Sequence, residues 1–289
     1  MQIKYTAIAA VVLALGAGAA QAKIALPATG NGELFFSLYD THGTDAFDDD
    51  KTLVIDLGGA TGTGGSAAGR LNNWISDNTT AADPVLAAGK QANGYAITVL
   101  DPKVVAFLGS GSFADMTWSL FGGDSLVRDR ILTTVNANAG GASQQFVSAL
   151  RNANGALAGY ASNTNQGPEG DNTLNGEAIN NTSLFVGDGG ASFRSIGSRL
   201  GNQFVNFGNT AGVGESMAFY AYWENAATGA GNAKSARFGD ATQFPNAGWK
   251  LYGDGRLVYS VPEPETYAMM GVGLLAIGAI ARRRRAASA

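Results

Sequence analysis

The segment DTHGTDAFDDDK concentrates carboxylates that could bind a hard cation. Its five aspartates lie within eleven residues, between two stretches rich in apolar side chains: Asp40, Asp45, Asp48, Asp49 and Asp50. Ca²⁺ takes about six to eight oxygen ligands, and carboxylates clustered on a loop can supply several of them. Because the spacing does not match an EF-hand, two interpretations stay open, a solvated acidic turn and a Ca²⁺ site.

The scarcity of two residue types excludes several kinds of site. The chain has no cysteine, which rules out disulfides, thiolate metal sites and cysteine nucleophiles. Its one histidine, His42, lies in the acidic segment, so a Ser-His-Asp triad would have to include it. Carboxylate pairs for glycoside hydrolysis cannot be chosen among 23 acidic residues, because separation in space sets that chemistry. No catalytic constellation is visible, and we expect no enzyme activity.

Aromatic and glycine-rich segments each allow a binding interpretation and a structural one. The tryptophans could stack on sugars, although aromatic residues in strands usually belong to the core: Trp74, Trp118, Trp223 and Trp249. The glycines between Val54 and Gly65 could cradle a phosphate. A turn leading into a helix explains the same glycines, and no lysine at Walker spacing accompanies them.

These groups must be positioned by the body of the chain, which has the pattern of a mainly β protein. Short apolar or alternating segments are separated by Gly, Asn and Asp. We expect strands at Glu33–Tyr39, Thr52–Leu57, Tyr95–Leu100, Val104–Leu108, Met116–Phe121, Ile131–Val135, Ser183–Val186, Gln203–Phe207 and Ser216–Trp223, and a hairpin formed by Trp249–Tyr252 and Arg256–Ser260.

Two helices are expected among the strands. In Ser66–Asp77 the apolar residues Leu71, Trp74 and Ile75 follow helical spacing, and Ser143–Asn152 has a similar stripe. Ala153–Glu177 and Asn225–Lys234 have few large apolar residues and are expected to be exposed loops. The predicted fold is a β-sandwich or jelly roll with two short helices, flanked by an N-terminal signal helix and a C-terminal apolar helix.

The N-terminus has the pattern of a secretory signal. Lys4 supplies a positive charge, Ala7–Leu15 is apolar, and Ala20 and Ala22 form an A-x-A cleavage site before Lys23. We therefore expect signal peptidase to act on the chain and the mature protein to begin at Lys23.

The C-terminal region combines a proline motif, an apolar segment and a basic cluster. Val261, Pro262, Glu263 and Pro264 precede an uncharged run from Thr266 to Ala281, and four arginines follow: Arg282, Arg283, Arg284 and Arg285. As a helix this run would span roughly 24 Å, less than a hydrocarbon core of about 30 Å. Under the positive-inside rule the arginines would stay cytoplasmic and the body would lie outside.

These three parts, in this order, resemble the PEP-CTERM sorting signal of Gram-negative bacteria. The resemblance implies recognition by an exosortase, a membrane cysteine protease-transpeptidase, with cleavage near Pro262-Glu263-Pro264. It also implies export and association with exopolysaccharide or a biofilm matrix. The stretches NGELFFSLYD and WKLYGDGRLVYS are similar to parts of other PEP-CTERM ectodomains. An ordinary C-terminal membrane anchor, which would persist in the mature protein, is the alternative interpretation.

The sequence thus divides into a signal peptide (1–22), a β-rich exported domain (23–260), a sorting signal (261–285) and a short tail (286–289). Between Lys23 and Ala281 there are 14 basic and 23 acidic residues, a net charge near −9. So acidic a body argues against binding to nucleic acid and permits divalent cations and neutral glycans.

Three functions are compatible with this organisation. We expect a non-enzymatic protein of the cell surface or extracellular matrix, held transiently at the inner membrane before processing. The second is a lectin-like glycan-binding module that could use Ca²⁺, and the third is a secreted hydrolase of matrix polysaccharide.

Overall fold

We describe the fold from a computed structural model of the chain. The described residues are 32–40, 51–57, 69–76, 83–92, 94–125, 128–136, 147–166, 182–186, 210–225, 231–239, 247–261 and 273–277. Their strands are β1 (Phe35–Asp40), β2 (Lys51–Asp56), β3 (Ala96–Leu100), β4 (Met116–Asp124), β5 (Arg130–Val135), β6 (Thr182–Val186), β7 (Ala211–Gly212), β8 (Ser216–Trp223), β9 (Lys234–Arg237), β10 (Gly248–Leu251) and β11 (Arg256–Ser260). The helices α1 (Pro102–Leu108) and α2 (Val147–Gln166) accompany them, and residues 273–277 form a further short helix.

The described strands form one antiparallel sheet. Its order is β3-β11-β10-β8-β5-β4-β1-β2-β6, with β7 beside β4 and β9 beside β8. The prediction of a mainly β body is confirmed, and β1 and β2 pair as expected. The prediction of a β-sandwich or jelly roll, which would have two facing sheets, is wrong, because the described strands join into a single sheet.

The sheet curls because its inner side must bury apolar residues from both ends of the strand order. Leu38 and Leu53, from β1 and β2, belong to the same buried cluster as Ile97, Trp249 and Tyr259 at the other end. A flat sheet would hold these residues several strand spacings of about 4.8 Å apart. Alternate residues on each strand point to the opposite, outer side.

Helix α2 covers the outer side over the middle of the sheet. Val147, Leu150, Leu157 and Ala161 follow helical spacing and pack in one cluster with outward residues of the strands such as Tyr222. The helix begins within the predicted Ser143–Asn152, of which 143–146 lie outside the described residues, and continues to Gln166. The prediction of an exposed loop at Ala153–Glu177 is therefore wrong for 153–166, while 167–177 lie outside the described residues.

Helix α1 replaces the strand predicted at Val104–Leu108. A five-residue apolar run is compatible with either a strand or a helix, and the flanking residues decide between them here. The Asp101 side chain accepts a hydrogen bond from the Lys103 backbone N–H at 2.8 Å, and Pro102 occupies the first helical position. Asp101 therefore caps the N-terminus of the helix, and one side of the helix is exposed to solvent.

Two further predictions are corrected in the inner part of the fold. The described part of Ser66–Asp77 contains a single 3-10 turn, Leu71–Asn73, instead of an α-helix. Its predicted core residues Leu71, Trp74 and Ile75 are nevertheless fully buried. Lys234, the last residue of the predicted loop Asn225–Lys234, begins strand β9. The predicted strand Gln203–Phe207 lies outside the described residues.

Candidate ligand-binding face and sorting region

The outer side of β3, β10 and β11 is open to solvent, in contrast to the part of the sheet under α2. Successive residues of these strands point alternately inward and outward, so the buried Trp249, Leu251, Leu257 and Tyr259 leave their neighbours exposed or half-buried. We call this surface the open face, and it consists of Ala96, Thr98, Leu100, Lys250, Tyr252, Arg256, Val258 and Ser260.

Tyr252 lies at the centre of the charged part of the open face. The Lys250 ammonium is 5.0 Å from the centroid of its ring, and the Arg256 guanidinium carbon is 4.9 Å from it. Backbone pairing holds this arrangement, because the Tyr252 N–H donates to the Arg256 carbonyl at 2.9 Å. Cations near an aromatic ring are attracted by its quadrupole. Tyr252 therefore has two positive charges within about 5 Å of its ring centroid, on a half-buried surface.

An exposed aromatic residue packs against the hairpin tip. Phe113 is 46% exposed, and its ring packs against the bare backbone of Gly253, where an added Cβ would lie 2.7 Å from Phe113 Cε2. Gly255 has a φ of +88° and lies against Val105 in the same way. Both glycines allow the tip to approach its neighbours closely. The tip is thus packed closely against Phe113 and against Val105 of α1.

The charge at the tip is only partly compensated. Arg256 Nε donates to Asp254 Oδ2 at 2.7 Å, and this hydrogen bond lowers the pKa of the Asp254 carboxyl. Lys250 contributes a second positive charge to the face. In a body with a net charge near −9, this small cationic and aromatic surface differs from its surroundings. It could stack a sugar ring on Tyr252 and pair an acidic substituent with Lys250 or Arg256.

The tryptophans do not form the sugar-stacking platforms that the sequence left open. All four side chains are buried and contribute to the inner cluster: Trp74, Trp118, Trp223 and Trp249. Trp74 makes edge contacts with Phe219, Phe238 and Tyr259 at centroid distances between 4.9 and 5.2 Å. The alternative interpretation, that these residues build the core, is confirmed.

A buried ion pair joins the end of β4 to the start of β5. Arg130 Nη2 donates to Asp124 Oδ2 at 2.7 Å, and both side chains are almost fully buried. The same guanidinium donates to the carbonyls of Ile75 and Ser76 and to the Asn72 side chain. Arg130 therefore ties the loop around the 3-10 turn Leu71–Asn73 to the β4–β5 hairpin.

Two carboxylates meet beside this pair. Arg151 on α2 binds both Asp129 and Glu224, and Asn154 Nδ2 donates to Asp129 Oδ1 at 2.8 Å. Burial raises the pKa of Asp129, while the Asn154 hydrogen bond opposes that rise. Because Arg151 and Asn154 occupy the acceptor positions of the carboxylates, we interpret this network as structural. Sequence reasoning missed it, since Asn154 was assigned to a loop.

Most of the predicted metal-binding residues lie outside the described part of the chain. Asp40 is the last residue of β1 and is buried, with Met116 and Lys51 as its neighbours on the adjacent strands. His42, Asp45, Asp48, Asp49 and Asp50 fall between the described ranges. Within the described ranges no group of three or more His, Asp and Glu residues could hold a metal ion. The Ca²⁺ site stays a prediction, which calcium titration followed by calorimetry and melting temperature would test.

The predicted sorting region is described at two places. Val261 is buried directly after β11, and residues 273–277 form a short exposed helix. The other predicted processing residues lie outside the described part: Ala20, Ala22, Lys23, Pro262, Glu263, Pro264, Arg282, Arg283, Arg284 and Arg285. In the part of the chain that the structure describes, no helix is both long and apolar enough to cross a membrane.

Comparison with known proteins identifies the C-terminal segment and leaves the body without a match. Residues 260–285 match the family model described as the PEP-CTERM protein-sorting motif. The predicted resemblance is thereby confirmed. The motif implies a protein that is exported and sorted to the cell surface, with processing by an exosortase. No curated protein and no solved structure matches the chain.

Proposed function

We propose that the mature protein is a non-enzymatic component of the cell surface or of the extracellular polysaccharide matrix, released from its C-terminal tail by an exosortase. The observation that carries this proposal is the position of the sorting motif. The match begins at Ser260, the last residue of β11, whose neighbours Tyr259 and Val261 are buried in the inner cluster. Cleavage after Val261 would leave every described strand intact.

Intact-mass analysis of the surface and medium fractions tests this proposal, with the native host compared with and without its exosortase. We expect a mature form that begins at Lys23 and ends near Pro262-Glu263-Pro264 when the exosortase is present. Without the enzyme, the tail should be retained and the protein should stay with the inner membrane. A mature protein that keeps its tail at steady state in the normal host would contradict the proposal.

A second candidate function is glycan binding, and the open face favours it. Tyr252 offers a ring for stacking, with Lys250 and Arg256 within about 5 Å of it. We suggest that this surface binds acidic polysaccharide, because uronate carboxylates complement the two cations. A polysaccharide hydrolase, the third function considered from the sequence, has no comparable observation among the described residues in its favour.

The glycan-binding candidate can be tested with uronate-containing and neutral polysaccharides in a sedimentation or array assay. Tyr252→Ala and the pair Lys250→Ala and Arg256→Ala should each weaken binding to the acidic polymer by about tenfold or more, as loss of one stacking contact or one charged pair predicts. Lys234→Ala, which removes a partly exposed positive charge outside the open face, is the matched control. Wild-type protein that binds no polymer, with or without calcium, would remove this function.

A further inference from the structure

Among the described residues Val261 is the last that is buried, and it is also the first residue of the Val-Pro-Glu-Pro sequence. It is 1% exposed, and its side chain belongs to the inner cluster with Tyr259. Its N–H donates to the Tyr95 carbonyl, and its carbonyl accepts from the Gly94 N–H, both at 2.9 Å. We call Gly94, Tyr95 and Val261 the clasp.

The strand that leads into the clasp is held on both sides. β11 pairs with β10 and with β3, where Ser260 lies opposite Ala96 and Tyr259 opposite Ile97. The Tyr259 hydroxyl also donates to the Lys90 carbonyl at 2.9 Å. Thus the residues immediately before Pro262 have their backbone or side-chain groups engaged by the body, and no spacer separates them from the motif.

Enzymes that process peptides commonly bind the substrate as an extended strand whose backbone pairs with the enzyme. Such binding needs residues on the N-terminal side of the cleaved bond as well as on its C-terminal side. Here the N-terminal residues are β11 and Val261, and neighbouring strands already use them. An enzyme acting near Pro262 therefore competes with the fold for this part of the chain.

We propose that the clasp must open before the sorting enzyme can engage the motif, so that the stability of the β3–β11 pairing controls the rate of tail removal. β3 ends the strand order of the described sheet, so opening requires the loss of one strand pairing. The covalent step itself is unaffected: the peptide bond breaks, its acyl carbon passes to water or an amine acceptor, and the tail leaves with a free amino end. The inference rests on the proposed exosortase processing.

A reversible disulfide across the clasp tests the requirement for opening. Ala96 and Ser260 are paired on the open face, and neither is buried. Opposed residues in antiparallel strands have Cα atoms about 4.5–5.5 Å apart, within the range of a disulfide. The chain has no cysteine, so the double variant Ala96→Cys and Ser260→Cys can form only this bond within one molecule. We expect the oxidised variant to be processed at least about fivefold more slowly and a reductant to restore the rate.

A flexible insertion provides the second arm of the test. A Gly/Ser linker of roughly six residues between Val261 and Pro262 would supply free backbone next to the cut while the clasp stays closed. This variant should be processed faster than wild type and should be insensitive to the Ala96–Ser260 disulfide. The same linker placed after Lys23 is the matched control, and wild-type protein in the same oxidant controls for damage to the enzyme.

Pulse–chase measurement of the precursor-to-mature ratio distinguishes the outcomes. The proposal is overturned if the disulfide forms, as shown by mass, and the processing rate is unchanged. It is also overturned if the linker variant is processed no faster than wild type. If wild-type protein is never processed in a host with an active exosortase, the proposed sorting fails first, and the clasp has no reaction to control.

Discussion

Arg130 and Asp124 form a salt bridge inside the fold, with 2.7 Å between Arg130 Nη2 and Asp124 Oδ2. The two residues pair across the β4–β5 hairpin, so one strand pairing positions both charges. The Arg130 guanidinium also reaches the carbonyls of Ile75 and Ser76 from the loop around Leu71–Asn73. One buried cation thereby fixes a loop that has little regular structure of its own.

Removing one member of this pair should strongly destabilise the protein. Arg130→Ala leaves the Asp124 carboxylate buried without its main partner, and we expect a loss of about 3–5 kcal/mol in the free energy of unfolding, measured with urea. Lys234→Ala breaks the exposed pair with Asp83 and is the control, for which no measurable change is expected. If Arg130→Ala changed the free energy of unfolding as little as Lys234→Ala, the result would contradict the buried ion pair between Arg130 and Asp124.

Trp74 should be among the residues that contribute most to stability. Its ring is fully buried and contacts Phe219, Phe238, Trp249 and Tyr259. Trp74→Ala should cost about 3–5 kcal/mol of unfolding free energy, because it removes a large apolar side chain and leaves a cavity. Val85→Ala, at a residue that is 68% exposed, should change stability little and serves as the comparison in thermal unfolding.

Glycines in and beside α2 should respond to alanine in opposite directions. An alanine Cβ at Gly155 or Gly159 meets nothing within 4 Å, so each substitution should raise stability by roughly 0.5–1 kcal/mol through helix propensity. At Gly123 the same Cβ would lie 2.0 Å from Asn154 Oδ1, and the substitution should destabilise the packing of α2 on the sheet. Destabilisation by Gly159→Ala in chemical denaturation would argue against the helix.

The free energy of unfolding should fall in alkaline solution, because the buried tyrosines ionise at a lower pH in the unfolded state than in the folded state. Burial raises the pKa of Tyr95, Tyr222 and Tyr259, so in the window above the ordinary tyrosine pKa of about 10 the folded state retains protons that the unfolded state has lost. Their stabilising contribution is therefore complete below that value and decreases as pH rises towards their folded-state pKa values. Lys90 acts in the opposite direction, because burial lowers its pKa.

Tyr222→Phe isolates the largest of these effects. The variant lacks the buried phenol, so its unfolding free energy should decline less steeply than that of wild type between about pH 9 and pH 11.5. Urea titrations at several pH values measure the slope. Identical slopes for the two proteins would show that folding does not raise the pKa of the Tyr222 hydroxyl, and would contradict its burial.

The C-terminal sorting motif and many strands follow from local sequence. The hairpin around Gly253–Gly255 and the strand Ser216–Trp223 were predicted because alternation and turn residues are encoded within a few positions. The PEP-CTERM resemblance is likewise local, since three short parts in order carry it. Local pattern failed at Val104–Leu108, where an apolar run has no period and the Asp101 cap favours a helix.

By itself the sequence determined the mainly β composition, the absence of cysteine chemistry and the sorting motif. Only the tertiary structure decided that the described strands form one curled sheet, that all four tryptophans are buried, and that Tyr252 lies close to two cations on an open face. The physical reason is distance along the chain: strand pairing brings β3 and β11 together, and a side-chain hydrogen bond joins Arg130 to Ile75, in both cases across many residues of sequence. Such contacts leave no periodic pattern in the local sequence, so they can be identified only from the tertiary structure.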